Sequence, residues 1–462
     1  MTISFDELRA SEFSRLDAGG HVYLDYTGGG LYAESQVRAH ADTLLHNVLG
    51  NPHSQNPTSL ASTHNVHAAR ERIRQFFQAD EDEYEIIFTL NASGALKLVG
   101  ESYPWQPDSY YMLVADNHNS VNGIREFAKA KGATIRYLPL NRDLRAQNLE
   151  NLLPEVDRSI PNLFSFPAQS NFSGVKHPLE WVALGRERGY DVLLDAAAYV
   201  PTNRISLREV HPDFMSVSFY KMFGYPTGVG ALIVRRETMT RLQRPWFGGG
   251  TVKFVSAQNS QHILASSGEA FEDGTVNYLS IAAIPAGLDF LETVGMENIN
   301  AHVMQLTALL FDGLRKLHHS NGQPLVRLYG PPNMEMRGGT LAFNLNTPDG
   351  TMVHAKIIEQ RANTENISVR TGCFCNPGAA EFAFDYLPDE AYHCFTTLDP
   401  DQFTVQQFST CMNNLPVGAV RASVGIASNE ADIHRLLTFL SGFVDFAPAE
   451  QFLWHVPHME GS

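Results

Sequence analysis

The chain predicts an α/β protein: a large domain built on a mostly parallel sheet covered by helices, joined to a smaller α+β domain. Three observations carry this reading. Short apolar runs alternate with helical patterns between residues 84 and 234, as successive β-α units do. Several of these runs end in a polar residue and a small-residue turn, where ligands of open α/β sheets bind. Beyond residue 290 the alternation fades into helices and isolated strands. The expected division is a large domain at 31–290 and a small domain formed by 1–30 with 291–462.

The elements follow in order. Val22 to Asp25 is a short strand-like entry, broken by Thr27-Gly-Gly-Gly30. Glu34 to Leu49 and His64 to Phe77 are helical, and Gly50-Asn-Pro-His-Ser54 links them. Tyr84 to Thr89 is a buried strand that runs into Leu90-Asn-Ala-Ser-Gly94 and a helix from Ala95 to Ser102. A strand, a small-residue turn and a helix start make a phosphate site, here with the amides of Ala92 and Ser93 and the Ser93 hydroxyl. A plain capped turn has the same composition. Tyr110 to Ala115 is the next strand, and it places His118 at its carboxyl end before a helix from Val121. Leu163 to Phe166 leads to Pro167-Ala-Gln-Ser-Asn-Phe-Ser-Gly174, where Asn171 is a candidate cofactor ligand. Leu179 to Arg188 is a helix, and Asp191 to Asp195 is a strand that ends in a carboxylate.

Asp213 to Tyr220 is mostly apolar or aromatic and reads as a buried strand, with Lys221 emerging at its end. Gly224, Pro226 and Gly228 turn the chain into a further strand, Val229 to Val234. A lysine against a core has a lowered pKa and becomes nucleophilic, which Schiff-base chemistry needs. Asp195 at a neighbouring strand end completes the requirement of pyridoxal phosphate. The lysine binds the aldehyde, and the aspartate keeps the pyridine nitrogen protonated so that the ring can take electrons. The competing readings are a lysine that reaches solvent and an aspartate that caps a helix.

Composition narrows the class. The formal net charge of −16 argues against a nucleic-acid surface, and no apolar run approaches a membrane span. The N-terminus lacks a basic region followed by an apolar core, so no signal peptide is expected. With four cysteines in 462 residues a disulfide framework is not expected, and a reducing cytoplasm is the default location. Phe247 to Thr251 is a flexible loop, a helix follows from Ser280 to about Val294, and Thr340 to Asn344 and Ser368 to Thr371 are strands. Residues 377–420 are poorly patterned and read as an irregular insertion.

Arg370-Thr-Gly-Cys-Phe-Cys-Asn-Pro-Gly378 reads as a mobile loop carrying two thiols. A thiolate in positive surroundings is nucleophilic. A metal reading of Cys-x-Cys lacks further ligands, since Cys394 and Cys411 have no finger-like spacing, so no metal is expected. If the loop is extended, Cys373 and Cys375 point to one side and geometry does not choose between them.

Five segments together resemble a known family. They are Phe219-Tyr-Lys-Met-Phe-Gly-Tyr-Pro-Thr-Gly228, Pro167 to Gly174, Phe247-Gly-Gly-Gly-Thr-Val252, Phe271-Glu-Asp-Gly-Thr275 and Arg370 to Gly378. They are similar to the cysteine-desulfurase-like domain of molybdenum cofactor sulfurases and, more broadly, to class V enzymes of the pyridoxal phosphate-dependent transferase type I fold. The resemblance runs from about residue 20 to 440 in the same motif order. It implies that Lys221 forms the Schiff base and moves the proton, that Asp195 pairs with the pyridine nitrogen, and that His118 stacks on the ring. It puts Asn171 near the phenolic oxygen, and Ala92, Ser93, Ser218 and Tyr220 at phosphate-contact positions. Thr275 matches a residue that reaches the partner subunit's phosphate, which implies a homodimer. Cys375 matches the persulfide-forming cysteine, and Arg421 matches the arginine that clamps the substrate carboxylate.

The pattern departs from the family at three positions: Ala198 stands where desulfurases often have Gln, Asn91 replaces a glycine of the phosphate turn, and Ala380 replaces a Cys. Full-length sulfurases carry a C-terminal cofactor-binding domain, for which 462 residues leave no room, so the acceptor stays open. The resemblance implies an L-cysteine desulfurase or C–S lyase that passes sulfur through Cys375 to an acceptor protein or small molecule and releases alanine. Two other readings share these residues: a class V lyase, aminotransferase or epimerase acting on another amino acid, and a non-enzymatic sulfur carrier.

Overall fold

The computed structural model describes residues 4–449 and 453–454. The first three residues of the N-terminal stretch read above for a signal peptide, and residues 450–452 and 455–462 of the small-domain span, lie outside the described residues. A seven-stranded sheet forms the centre. Counting all strands along the chain, β1 is Val22–Tyr23, and the sheet takes β2 (Tyr84–Thr89), β3 (Tyr110–Val114), β4 (Thr134–Leu138), β5 (Leu163–Pro167), β6 (Asp191–Asp195), β7 (Phe214–Ser218) and β8 (Gly230–Arg235). Their spatial order is β2-β8-β7-β6-β5-β3-β4. All neighbours from β4 through β7 are parallel, and only β8 runs antiparallel to β7 and β2. Strands β2, β3, β5, β6 and β7 therefore point the same way, and their carboxyl ends share one edge. Helices on both faces explain why β5, β6 and β7 are buried almost throughout, so their sequences are apolar runs rather than alternations.

A second sheet has the order β11-β12-β16-β15: β11 is Val326–Tyr329, β12 Thr340–Leu345, β15 Arg370–Gly372 and β16 Ala419–Ser423. The N-terminal segment joins it, because β1 pairs with β14 (Ile367–Ser368) and Asp25 bridges Ser423. Strands β9 (Val252–Ser256) and β10 (Gln261–Leu264) form a hairpin, and β13 (Met352–Val353) pairs with β17 (Leu453–Trp454). No single described helix is long and apolar enough to cross a membrane.

The structure corrects several expectations. Strand β7 ends at Ser218, and Lys221 lies in a short helix, Phe219–Phe223, rather than on the strand. The helix expected from His64 begins at Pro57, because Asn56 accepts from the Ser59 amide and proline suits the first turn. The helix from Glu34 stops at His46. Edge strand β4 went unread because Thr-Ile-Arg-Tyr-Leu is too polar and exposed to signal a buried strand.

Residues 377–420 are not irregular. They hold helices Pro377–Ala383, Pro388–Thr397 and Val405–Cys411. Two begin at a proline, and the third has a capping box between Thr404 and Gln407. Each is short, so its apolar face spans too few turns to show a period. Ala391, Cys394, Phe408, Met412 and Leu415 bury one another in a small core. Cys394 and Cys411 form a disulfide within it, a pairing the cysteine spacing did not suggest.

Candidate active site

A cavity opens at the shared carboxyl edge of the sheet, lined by turns after β2, β3, β5, β6 and β7. The sequence-predicted residues Ala92, Ser93, His118, Asn171, Asp195, Ser218, Tyr220 and Lys221 all line it. Residues 126 apart in sequence meet because parallel strands deliver their ends to one place.

Lys221 sits at the floor. Burial lowers its pKa below the ordinary lysine value; Asp195 opposes this, and Arg421 and Arg370 add to it. Asp195 ends β6 opposite Ser216 in the register. Its Oδ1 accepts from the Ala197 amide at 3.1 Å and the Ser216 hydroxyl at 3.0 Å. Oδ2 makes no hydrogen bond among the described residues, so a ring nitrogen can donate to it.

His118 caps the helix that follows β3, its Nδ1 accepting from the Ser120 amide at 3.1 Å. Burial first, then Lys221 and Arg421, hold its pKa below the usual histidine range while Asp195 opposes. The ring is therefore neutral, as stacking on a pyridinium requires.

The phosphate end differs in detail from the expectation. The Ala92 amide donates to the Ser218 hydroxyl at 2.8 Å, and Ser93 Oγ pairs with Ser120 Oγ at 2.6 Å. Ser218 therefore already holds one of the two amides assigned to phosphate. Asn91 caps the helix Ala92–Ser102 by accepting from the Gly94 amide at 2.9 Å. Its φ of −177° is extended backbone, so the turn needs no glycine there. The close approach falls instead on Gly230, where a Cβ would lie 2.6 Å from the Asn91 backbone. Tyr220 is half-buried on the same side, and burial raises its hydroxyl pKa.

The cysteine loop is docked by hydrogen bonds. Asn171 Nδ2 donates to the Phe374 carbonyl at 2.7 Å, and the Asn119 amide donates to the Cys375 carbonyl at 2.7 Å. Asn376, fully buried, donates from Nδ2 to the Asp116 carbonyl at 2.7 Å and to Asn171 Oδ1 at 2.9 Å. Its own Oδ1 caps the helix Pro377–Ala383. A Cβ on Gly378 would lie 2.0 Å from the Ala115 carbonyl oxygen, so only glycine permits this approach.

Phe374 and Cys375 both have a φ of 56°, in the left-handed region. The loop is therefore not extended, and its two thiols separate. Cys375 is exposed, whereas Cys373 is half-buried and packs against the core. The structure thus separates two thiols that an extended loop would leave on one side.

Arg421 lies on β16 and is almost wholly buried. Its Nη1 donates to the Asn171 carbonyl at 2.9 Å, and its guanidinium covers the Phe374 ring at 4.7 Å. Thr275 stands apart: it accepts from Asn51 at 3.1 Å and lines a different cavity with Leu90 and Phe271. Sequence reasoning missed Ser216, Ser120, Asn376, Arg370 and Asp25, which reach the site through contacts made only in the folded chain. Asp25 alone carried a signal, since it too is a carboxylate at a strand end before glycines.

The donor set fits pyridoxal phosphate: a desolvated amine, a free carboxylate oxygen for the ring nitrogen, a neutral imidazole, and a hydroxyl-rich helix start. Fold and site thus define a class, the α/β proteins that carry this cofactor on a lysine beside the strand ends. The chain belongs to the aminotransferase class-V family, whose model matches residues 22–436.

Among its relatives, the molybdenum cofactor sulfurase of Solanum lycopersicum is 38% identical over 96% of this chain and 57% of its own length. That of Homo sapiens is 35% identical over 95% and 51%, and that of Arabidopsis thaliana 36% over 95% and 58%. The chain thus spans little more than half the length of these relatives. Two solved structures share the fold. A cysteine desulfurase from Thermococcus onnurineus has a TM-score of 0.77 at 22% identity, covering 96% of this chain and 98% of its own. A cysteine desulfurase from Escherichia coli has a TM-score of 0.74 at 22% identity, with the same coverage.

Proposed function

We propose that the chain is a pyridoxal phosphate-dependent L-cysteine desulfurase that carries sulfur as a persulfide on Cys375. The observation that carries this reading is the exposed thiol of Cys375 on a loop that Asn171 and Asn376 dock onto the cofactor cavity. An aminotransferase or epimerase has no use for a thiol held there.

Lys221, Asp195, His118, Asn171 and the hydroxyls of Ser93, Ser218 and Tyr220 would hold the cofactor. When bound, it supplies an electron sink for the substrate's α-carbon. Arg421 is the residue assigned to the substrate carboxylate, and its Nη1 bond to the Asn171 carbonyl sets it beside a residue that lines the cavity. Lys221, whose desolvation favours the neutral amine, accepts the α-proton and returns it to carbon. The Cys375 thiolate forms a bond to the substrate sulfur as the carbon–sulfur bond breaks. The electron pair stays with the carbon skeleton, which takes up protons and leaves as alanine. One thiol and one cysteine thus become one persulfide and one alanine.

The relatives' name, molybdenum cofactor sulfurase, and the desulfurase structures support this reading. We further propose a homodimer. Leu90 is 71% exposed beside the cavity that holds Thr275, and Leu45, Val48, Phe254 and Ile263 are also exposed. The sulfur then passes to an acceptor protein or small molecule. A cytoplasmic location suits two free thiols, Cys373 and Cys375, although the Cys394–Cys411 bridge points the other way. The test is to measure alanine and sulfide from L-cysteine with a dithiol present to reduce the persulfide: equal amounts support the desulfurase, and pyruvate or an oxo acid in place of alanine overturns it.

A further inference from the structure

A charge cluster adjoins Asn171, a lining residue of the cavity, through Arg421 and takes no part in holding the cofactor. Asp25 follows β1, and its carboxylate lies between two arginines. Arg421 Nη2 donates to Oδ1 at 2.9 Å. Arg370 Nε lies 3.1 Å from Oδ1 and 3.0 Å from Oδ2, and its Nη2 donates to Oδ2 at 2.6 Å. Arg370 and Arg421 are direct cross-strand partners of β15 and β16. Like charges so placed repel, and a buried charge must be paired. The carboxylate between them resolves both problems. Space is reserved for this bridge: a Cβ on Gly28 would lie 2.5 Å from Asp25 Oδ2 and 2.6 Å from Arg370 Nη2.

The bridge leaves donors free. Arg370 is half exposed with no hydrogen bond from Nη1 among the described residues, while Arg421 Nε has no partner and is buried. Two guanidiniums less one carboxylate leave one net positive charge, the complement of one carboxylate. We propose that Asp25 is a positioning residue that holds Arg421 and Arg370 as a unit and confines the site to amino acids with a single carboxylate. This rests on the reading that Arg421 receives the substrate carboxylate.

The test uses the protein loaded with pyridoxal phosphate, L-cysteine as substrate, and L-aspartate and L-asparagine as competitors of matched shape. Asp25→Asn keeps the shape and leaves two net positive charges. We expect the KM for L-cysteine to rise roughly tenfold, the scale of one charge-assisted hydrogen bond, with a smaller change in kcat. Inhibition by aspartate relative to asparagine should strengthen in Asp25→Asn and return toward the native ratio in Asp25→Glu. A lowered melting temperature with an unchanged aspartate-to-asparagine ratio means that Asp25 is only structural, and overturns the inference. If Asp25→Asn does not fold, Arg370→Gln carries the test, because it removes one positive charge. The KM should then rise with aspartate still excluded, and an unchanged KM overturns the inference. A wild-type protein that releases no alanine from L-cysteine refutes the proposed function and this inference with it. An active wild type with an unaltered Asp25→Asn refutes this inference alone.

Discussion

Asn171 donates its side-chain amide to the carbonyl of Phe374 at 2.7 Å, which ties the turn after β5 to the residue just before Cys375. One side chain thus faces both the cofactor cavity and the loop that carries the thiol. Its Oδ1 accepts from Asn376, so the amide orientation is fixed and one N–H stays free for a ligand.

Asn376 is the buried hub of that network. Asn376→Ala removes a helix cap and leaves the Asp116 carbonyl without this donor. We expect a loss of about 2 kcal/mol in unfolding free energy, the sum of a lost cap and a buried acceptor left unpaired. A urea titration checks this, and the midpoint should fall without a change in slope.

Lys221 should be the residue that carries the cofactor. Borohydride reduction of the loaded protein should fix the label on Lys221, as peptide mapping reads. Lys221→Ala should still bind some cofactor through Asp195 and the hydroxyls but lose turnover. A label on Lys176, which burial also desolvates, would refute the assignment.

The same lysine sets a pH dependence. Burial depresses its folded pKa below 10.5, so the unfolded chain binds more protons between the two values. Its contribution to the stability of the cofactor-free protein is full above 10.5 and is lost as pH falls through the folded value. Lys221→Met removes this slope. Chemical unfolding of both proteins across alkaline pH measures the difference, and identical slopes contradict the burial argument.

The homodimer proposal is read by sedimentation. The native protein should sediment at twice the chain mass of 51.3 kDa. Leu90→Glu, which puts a charge on an exposed apolar side chain beside the Thr275 cavity, should shift it toward monomer. A fully active native monomer would count against sites shared between subunits.

Much of this was legible in the sequence because it is local. Lys221 and Asp195 each end an apolar run, and such runs place their ends at the ligand edge of a parallel sheet. The turn expected to hold the phosphate is a strand, a small-residue turn and a helix start in the structure too, but the Ser218 bond to the Ala92 amide joins residues far apart. Asp25 is farther still from its partners, 345 residues from Arg370 and 396 from Arg421, so no local pattern could pair them. The helices after Pro377 did carry signals, a proline at two starts and a Thr-x-x-Gln box at the third. Their brevity hid them. The resemblance matches Cys375 to the persulfide position, but the different exposure of Cys373 and Cys375 needed backbone angles, because two left-handed residues turn one thiol out and leave the other in.

The most direct measurement of the central claim is a single turnover of L-cysteine by the loaded Cys375→Ser protein. The account predicts that alanine release and persulfide formation are lost, while the cofactor's absorbance still shifts when cysteine binds, and that Cys373→Ser loses far less. If Cys375→Ser forms alanine at the wild-type rate, the persulfide does not form on Cys375 and the account is wrong.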